Sequence, residues 1–404
     1  MSDRSVAIVG GRVVPIVGEQ IDGGTVLVAD GKIVAIGADV PVPAAARVID
    51  AAGAWVLPGF IEAHGHVGVH EEAQGWAGQD TNEMTDPVTA NVRAIDAINP
   101  ADLGFRDAIS GGVLAVNVNP GSGNPIGGQT VALKCWGRTV DEMVLRAPSG
   151  MKSALGENPK RIYGEQHRTP STRLGVAAVI RGALVDAANY LQRLDHEQRR
   201  PEGKRKPIDR DLKLEALGKV LRREIPWRQH CHRADDIATA IRIADEFGYD
   251  LVIDHGTEAH LLADILAARG IPVIIGPLLT SRSKVELRNR SLANPGRLAR
   301  AGVTIAITTD HPVVPIHFLV HQAALAVKEG LDRDTALRAL TINPARIAGI
   351  DDRVGSIEVG KDADLVIWSG DPLDLLSRVE HALIGGTEIY TYENGEATFA
   401  DPWA

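Results

Sequence analysis

The chain reads as an α/β protein, a (β/α)8 TIM barrel carrying a small discontinuous β-sandwich formed by both chain ends, and three observations predict it. Its 404 residues exceed one ordinary small domain but suit a barrel of about 250 residues plus a smaller unit. Short β-rich pieces with turn punctuation occupy both ends of the chain. Between them strand-like and helix-like segments alternate, as a parallel sheet with crossover helices requires.

In chain order, the first pieces are Val6–Val9, Val13–Val14, Val26–Val28 and Ile33–Ile36, with Gly10-Gly11 and Asp30-Gly31 supplying turns. The same texture returns in Gly355–Glu358, Asp364–Trp368 and Glu388–Gly395. Residues 1–55 and 353–404 are therefore predicted to form the sandwich, and residues 56–352 the barrel. The barrel opens with Val56-Leu57-Pro58-Gly59-Phe60-Ile61-Glu62-Ala63-His64-Gly65-His66, an apolar strand ending in two histidines. Residues two apart on a strand share a face, so both imidazoles leave its tip together. Further strands are expected at Leu114–Val118, Thr130–Lys134, Met151–Leu155, Ile225–His230, Leu251–His255, Ile271–Ile275 and Val303–Asp310. Helices at Leu174–Gln198, Ala234–Phe247, Glu258–Arg269 and Arg297–Ala301 carry apolar residues at three- and four-residue spacing. An open doubly wound sheet would place a Gly-rich turn after its first strand, where His64-Gly65-His66 stands instead.

Composition excludes several functions. A chain that is 44% apolar and 24% charged is globular rather than disordered, and no apolar run approaches the roughly 20 residues of a membrane span. A net charge of -9 argues against nucleic acid, whose phosphates need a surplus of cations. The basic run Arg199–Lys206 holds Pro and Gly but no aromatic platform and reads as a solvated loop. Two cysteines make no disulfide framework, and Met1–Ser5 lacks the apolar segment of a leader. A cytoplasmic protein with a small-molecule substrate is expected, with no membrane or nucleic-acid partner and self-association left open. The Gly-rich segment Asn119–Gln129 leads into a strand and lacks the Gly-Lys-Ser/Thr ending of a phosphate loop, so it reads as an ordinary or substrate-facing loop.

An active site in such a barrel collects the C-terminal ends of the strands. Strand one ends in His64 and His66, the fifth in His230, the sixth in His255 and the eighth in Asp310. Imidazole nitrogen and carboxylate oxygen suit zinc, iron, manganese or cobalt, one or two ions, with zinc preferred. An ion there lowers the pKa of water toward about 7. Asp310 is placed to accept the proton of the attacking water and hand it to the leaving group. His232 shares the face of His230 and is assigned to the substrate pocket or to support of a ligand; His70, in the first loop, is also assigned to substrate. Cys231 has the opposite parity and reads as a packed thiol. Lys160, Arg161, His167 and Arg168 follow strand four, where Arg161 and Arg168 could meet a substrate carboxylate or serve as a solvated face.

These residues carry a resemblance to the amidohydrolase superfamily, the metal-dependent hydrolases related to imidazolonepropionase, adenine deaminase and dihydroorotase. The resemblance rests on Pro58–His66, His230, His255, Thr309-Asp310, Asn343-Pro344-Ala345 and Val354–Val366, and covers nearly the whole chain. It implies that His64, His66 and Asp310 hold the more buried ion, while His230 and His255 hold a second or position the substrate carbonyl. It also implies a bridging ligand from strand four, for which Glu157 is preferred over a carbamylated Lys152. The implied reaction is hydrolysis of an amide or cyclic amide by metal-activated water, with Asp310 and His255 as catalytic groups. Ring deamination and dipeptide hydrolysis are the alternative reactions within the superfamily, and a catalytically silent binding relative of the same superfamily is the alternative of a different functional class.

Overall fold

A computed structural model describes residues 5–402; Met1–Arg4, part of the segment read as lacking a leader, lie outside the described residues. Eight strands form the barrel sheet: β1 (Phe60–Gly65), β2 (Val113–Val118), β3 (Ile126–Lys134), β4 (Val144–Ala154), β5 (Trp227–Cys231), β6 (Leu251–His255), β7 (Val273–Ile275) and β8 (Ile305–Ile307). They hydrogen-bond side by side in chain order. Between β8 and β1 the barrel is drawn together by single bonds: Thr308 Oγ1 donates to the His64 carbonyl at 2.6 Å and the His66 N–H donates to the His311 carbonyl at 2.9 Å.

The eight expected strands are present, but they are not all parallel. β3 runs antiparallel to both β2 and β4. A parallel return needs a crossover of a dozen or more residues, and only the short Asn119–Pro125 loop separates β2 from β3. β4, expected as the short piece Met151–Leu155, is 11 residues long.

The other expected helices lie close to where periodicity places them, at Arg173–Arg199, Ala234–Phe247, Ala263–Ala268 and Asn294–Arg300. Arg173–Arg199 is capped by the Thr172 side chain, which accepts from the Gly175 N–H. By length and composition alone this helix could cross a membrane. One face, Val176, Ile180, Leu184 and Ala187, is nevertheless buried in the same core as the barrel strands.

The chain ends build a second sheet. Nine strands pair in one continuous sheet, and its two halves join where Leu365–Trp368 runs antiparallel to Trp55–Pro58. The stretch expected to be a single opening barrel strand is therefore two: Trp55–Pro58 belongs to the terminal sheet, and the barrel begins at Phe60. Gly59 sits at the change-over because a Cβ there would lie 2.6 Å from Leu114 Cβ on the neighbouring barrel strand. Val6, Ile8, Val26, Ile33, Val56, Leu365 and Ile367 form the separate core of this sheet.

A buried ion cluster locks the sheet to the barrel. Lys134 at the end of β3 reaches Asp362 at 2.8 Å and Asp364 at 2.9 Å, while Arg353 reaches Asp362 at 2.7 Å and Lys32 also bonds to it. Burial raises the Asp362 carboxyl, but hydrogen bonds from Lys134 and Lys32 and the nearby Arg353 charge outweigh it and bring it from the usual 3.8 to about 2. A carboxyl depressed in the fold stabilises it above its ordinary pKa, and that contribution fades as pH falls from about 4 toward 2. Asp362→Asn is expected to cost on the order of 2 kcal/mol at neutral pH and to flatten the acid limb of the stability curve. Urea unfolding at several pH values checks it, and an unchanged acid limb would contradict it.

Candidate metal centre

Every barrel strand bearing a chosen residue delivers it at the C-terminal end, where the imidazoles crowd together. His64 and His66 stand 5.5 Å apart by ring centre, His64 and His255 4.7 Å, and His230 and His255 4.5 Å. Asp310 Oδ1 lies 3.5 Å from His64 Nε2 and 3.3 Å from His66 Nε2. His64, His255 and Asp310 each place one donor atom within 4.8 Å of the others.

The outer nitrogens decide which atoms face this centre. His64 Nδ1 contacts Asp254 Oδ2 at 2.9 Å, His66 Nδ1 contacts the Asn119 carbonyl at 2.8 Å, and His255 Nδ1 contacts the Gly276 carbonyl at 2.9 Å. In each case an acceptor holds Nδ1, so Nε2 is the nitrogen left for the centre. That is the arrangement by which metal-binding imidazoles are oriented. Asn119 belongs to the Gly-rich loop, whose role here is to aim His66 rather than to cradle phosphate.

Backbone strain accompanies the same residues. His255 has φ +72° and Asp310 φ +53°, left-handed values that side-chain-bearing residues seldom adopt. A register break in the β1–β2 pairing lies between Glu62 and Gly65, the place where the chain turns His64 into the centre. Strain at a strand tip costs about 1–3 kcal/mol per residue and persists where surrounding contacts overdetermine it. Here the Asp310 N–H donates to Thr308 Oγ1 at 3.0 Å, and the Thr309 N–H donates to Glu62 Oε2 at 2.9 Å.

The strand-four group that reaches the centre is Lys152, not Glu157. Lys152 is fully buried in β4, its Nζ 3.1 Å from His64 Nε2 and 3.5 Å from Asp254 Oδ2. Burial pulls its ammonium pKa down, against the opposing pull of Asp254 and Asp310. Glu157 lies beyond the strand, past Gly156 at φ +89°, and starts the helix Glu157–Glu165. It lines a cavity of about 550 Å³ with Lys160, Arg161, Arg173 and Glu286. Periodicity cannot separate these two residues, because the turn at Gly156 breaks the alternation between them.

His232 stacks near His255 at 5.2 Å and contacts Thr257 Oγ1 through Nδ1 at 2.9 Å. His70 lies in the turn after β1, its N–H donating to the His66 carbonyl at 2.8 Å. It acts electrostatically on His311, whose pKa falls to about 4, chiefly through burial. Arg161 is exposed on the cavity wall, and Arg168 faces the Tyr163 ring at 5.9 Å. Cys231 packs into the main core, where burial raises its thiol.

Two further charged residues were not singled out from the sequence, Asp254 and Arg228. Asp254 is fully buried, and Arg228 Nη2 approaches its Oδ1 at 3.2 Å while donating to the Ala63 carbonyl at 2.6 Å. Burial would raise the Asp254 carboxyl, but Arg228, His64 and Lys152 hold it well below the usual range. For Asp254 the available signal was a charge after the apolar run Leu251-Val252-Ile253; Arg228 lies in the polar stretch Trp227-Arg228-Gln229-His230, where no such contrast marks it.

Fold and donor set together define the class: an α/β barrel with His and Asp side chains at its strand tips that could hold a metal ion. Known proteins agree. A model of the amidohydrolase family matches residues 215–398. The crystal structure of an amidohydrolase from Thermotoga maritima superposes with a TM-score of 0.93 at 46% identity, covering 96% of this chain and 100% of that one. Amidohydrolase tasK of Hapsidospora irregularis is 31% identical over 94% of this chain, which spans 40% of that protein's length. Imidazolonepropionase of Cupriavidus pinatubonensis is 24% identical over 85% of this chain and 82% of its own length. The chain belongs to the amidohydrolase family and is a hydrolase.

Asp254→Asn is expected to lower affinity for a divalent ion about 10- to 100-fold, because it loosens the orientation of His64 and takes a charge from Arg228. Competition with a chromogenic chelator measures this, and an unchanged dissociation constant would refute the orienting role.

Proposed function

We propose that this chain hydrolyses a carbon–nitrogen bond other than an ordinary peptide bond, in an amide or cyclic amide of a small molecule, using a divalent ion. The observation that carries the reading is the convergence of His64, His66, His255 and Asp310, with three outer nitrogens already held by acceptors. The donor set fits an ion of the zinc, iron, manganese or cobalt type, and zinc is our choice. His64, His66, His255 and Asp310 would hold it, with Lys152 alongside as the strand-four group. When bound, such an ion polarises a carbonyl and lowers the pKa of water toward about 7.

The chain's own residues do the rest. Asp310 is partly buried, which raises its carboxyl, but His255, His66 and His64 more than offset this and keep it ionised. An ionised carboxylate at the rim of the centre accepts the proton of the attacking water. It then returns that proton to the departing nitrogen, so that the amine leaves neutral. His255, fixed through Nδ1 by the Gly276 carbonyl, offers Nε2 as a holder of that ion. Burial lowers its pKa and favours the neutral ring. Burial lowers the ammonium pKa of Lys152, and a neutral amine there could add carbon dioxide to give a carbamate and a proton, the modification that the resemblance implies for a strand-four lysine.

Amide or lactam opening is preferred over ring deamination, and the likeness to imidazolonepropionases supports that order. Two measurements test the reading. Asp310→Asn should lower kcat by about 10²- to 10⁴-fold, with metal content followed in parallel; an undiminished rate would exclude the proton shuttle. Across a panel of cyclic amides, amino-substituted rings and dipeptides, ring opening without ammonia is expected. Turnover confined to amino-substituted rings with ammonia release would replace lactam opening by deamination.

A further inference from the structure

The loop after β7 carries a cation that the proposed reaction leaves unused. Lys284 immediately precedes the short turn Val285–Leu287 and is half-buried. Its Nζ donates to Asn158 Oδ1 at 2.9 Å, and Asn158 Nδ2 donates in turn to Ser122 Oγ at 2.8 Å. Asn158 lies in the helix that follows β4, and Ser122 in the Gly-rich loop between β2 and β3. Segments after three barrel strands thus fix where this ammonium stands.

That place adjoins the centre. His230, His232 and Glu286, which is two residues beyond Lys284, each place a donor atom within 4.8 Å of the other two. The Lys284 charge acts on both of these imidazoles and on Asp310.

Lys284 nevertheless lacks a carboxylate partner. Buried Lys134 stands 2.8 Å from Asp362 and 2.9 Å from Asp364, and buried Lys152 stands 3.5 Å from Asp254. Lys284 forms no ion pair among the described residues, and the acceptor it does have is a neutral amide oxygen. An ammonium carries three donors. The acids near it are engaged elsewhere: Glu286 Oε1 accepts from Arg173 Nη2 and from the Glu157 N–H, both at 2.8 Å, and Asp310 belongs to the metal centre. Of the other charges that act on Lys284, Glu157 attracts and Arg161 repels. A divalent ion in the centre adds a further like charge. A half-enclosed cation in such surroundings calls for an anion, and the chain supplies none.

We infer that Lys284 is a specificity-determining residue of the substrate pocket, where it binds a carboxylate carried by the substrate. This rests on the reaction proposed above and narrows its substrate class to amides or cyclic amides that bear a carboxylate.

Hydroxamates anchor on a metal centre whatever the natural substrate, so a matched series tests the subsite directly. The monohydroxamates of succinic, glutaric and adipic acid are compared with the neutral butyro-, valero- and hexanohydroxamates by calorimetric titration of the zinc-loaded holoenzyme. At the chain length that reaches Lys284, the wild type is expected to bind the carboxylate about 10-fold more tightly than its neutral partner. Lys284→Gln keeps a donor for Asn158 and loses the charge, so it should abolish that preference, whereas Lys284→Arg should retain part of it; circular dichroism verifies each fold. A wild type with no preference at any of the three lengths, or a folded Lys284→Gln that keeps the preference, overturns the subsite. If the neutral hydroxamates also fail to bind the zinc-loaded wild type, the metal centre itself is wrong and the subsite falls with it.

Discussion

The carboxylate of Asp254 is the point on which the barrel interior and its centre both depend. A lone charge at this depth costs several kcal/mol unless partners come with it, and three do: Arg228 from β5, Lys152 from β4 and His64 from β1. One buried group thus ties four strands together below the strand tips. Because the His64 nitrogen it holds is the outer one, the same contact that satisfies the carboxylate also turns Nε2 of His64 toward Asp310. Packing and chemistry are set by a single interaction.

Above that layer the fold spends stability on geometry. His255 and Asp310 both sit in left-handed backbone conformations, which repetitive strand structure would avoid. What holds the Asp310 segment there is a set of hydroxyl and carboxylate bonds: Thr308 Oγ1 to the His64 carbonyl, and Thr309 N–H and Oγ1 to Glu62 Oε2. These bonds also bring β8 toward β1. The strand pair that completes the barrel is therefore joined by the residues that position Asp310, and loosening one loosens the other.

The terminal sheet serves the barrel from outside. Phe60 at the start of β1 packs on Trp368 with ring centres 5.4 Å apart, and the Lys134–Asp362–Asp364 cluster fixes the return of the chain against the end of β3. The run Gly360-Lys361-Asp362-Ala363-Asp364 is therefore structural here: its two aspartates face a barrel lysine. Its position more than 300 residues after Lys32 shows how the two ends are brought into one sheet.

Much of this was legible in the residues. Alternation of apolar strands and amphipathic helices determines the barrel, and His64, His66, His230, His255 and Asp310 are marked by their place after apolar runs, since strand tips carry the site in this architecture. Three things were not. The reversed direction of β3 depends on a connection too short for a crossover, which becomes visible only once β2 and β3 are paired. The choice of Lys152 over Glu157 depends on the turn at Gly156, where a positive φ redirects the chain and side-chain parity stops being informative. The partition of histidines into one group with Asp310 and another with Glu286 joins residues from separate strands and loops, as far as 246 positions apart in the case of His64 and Asp310. Local sequence determined which side chains are metal-type donors; only barrel closure decided which of them share a site, because that distance is set by the sheet and not by the chain.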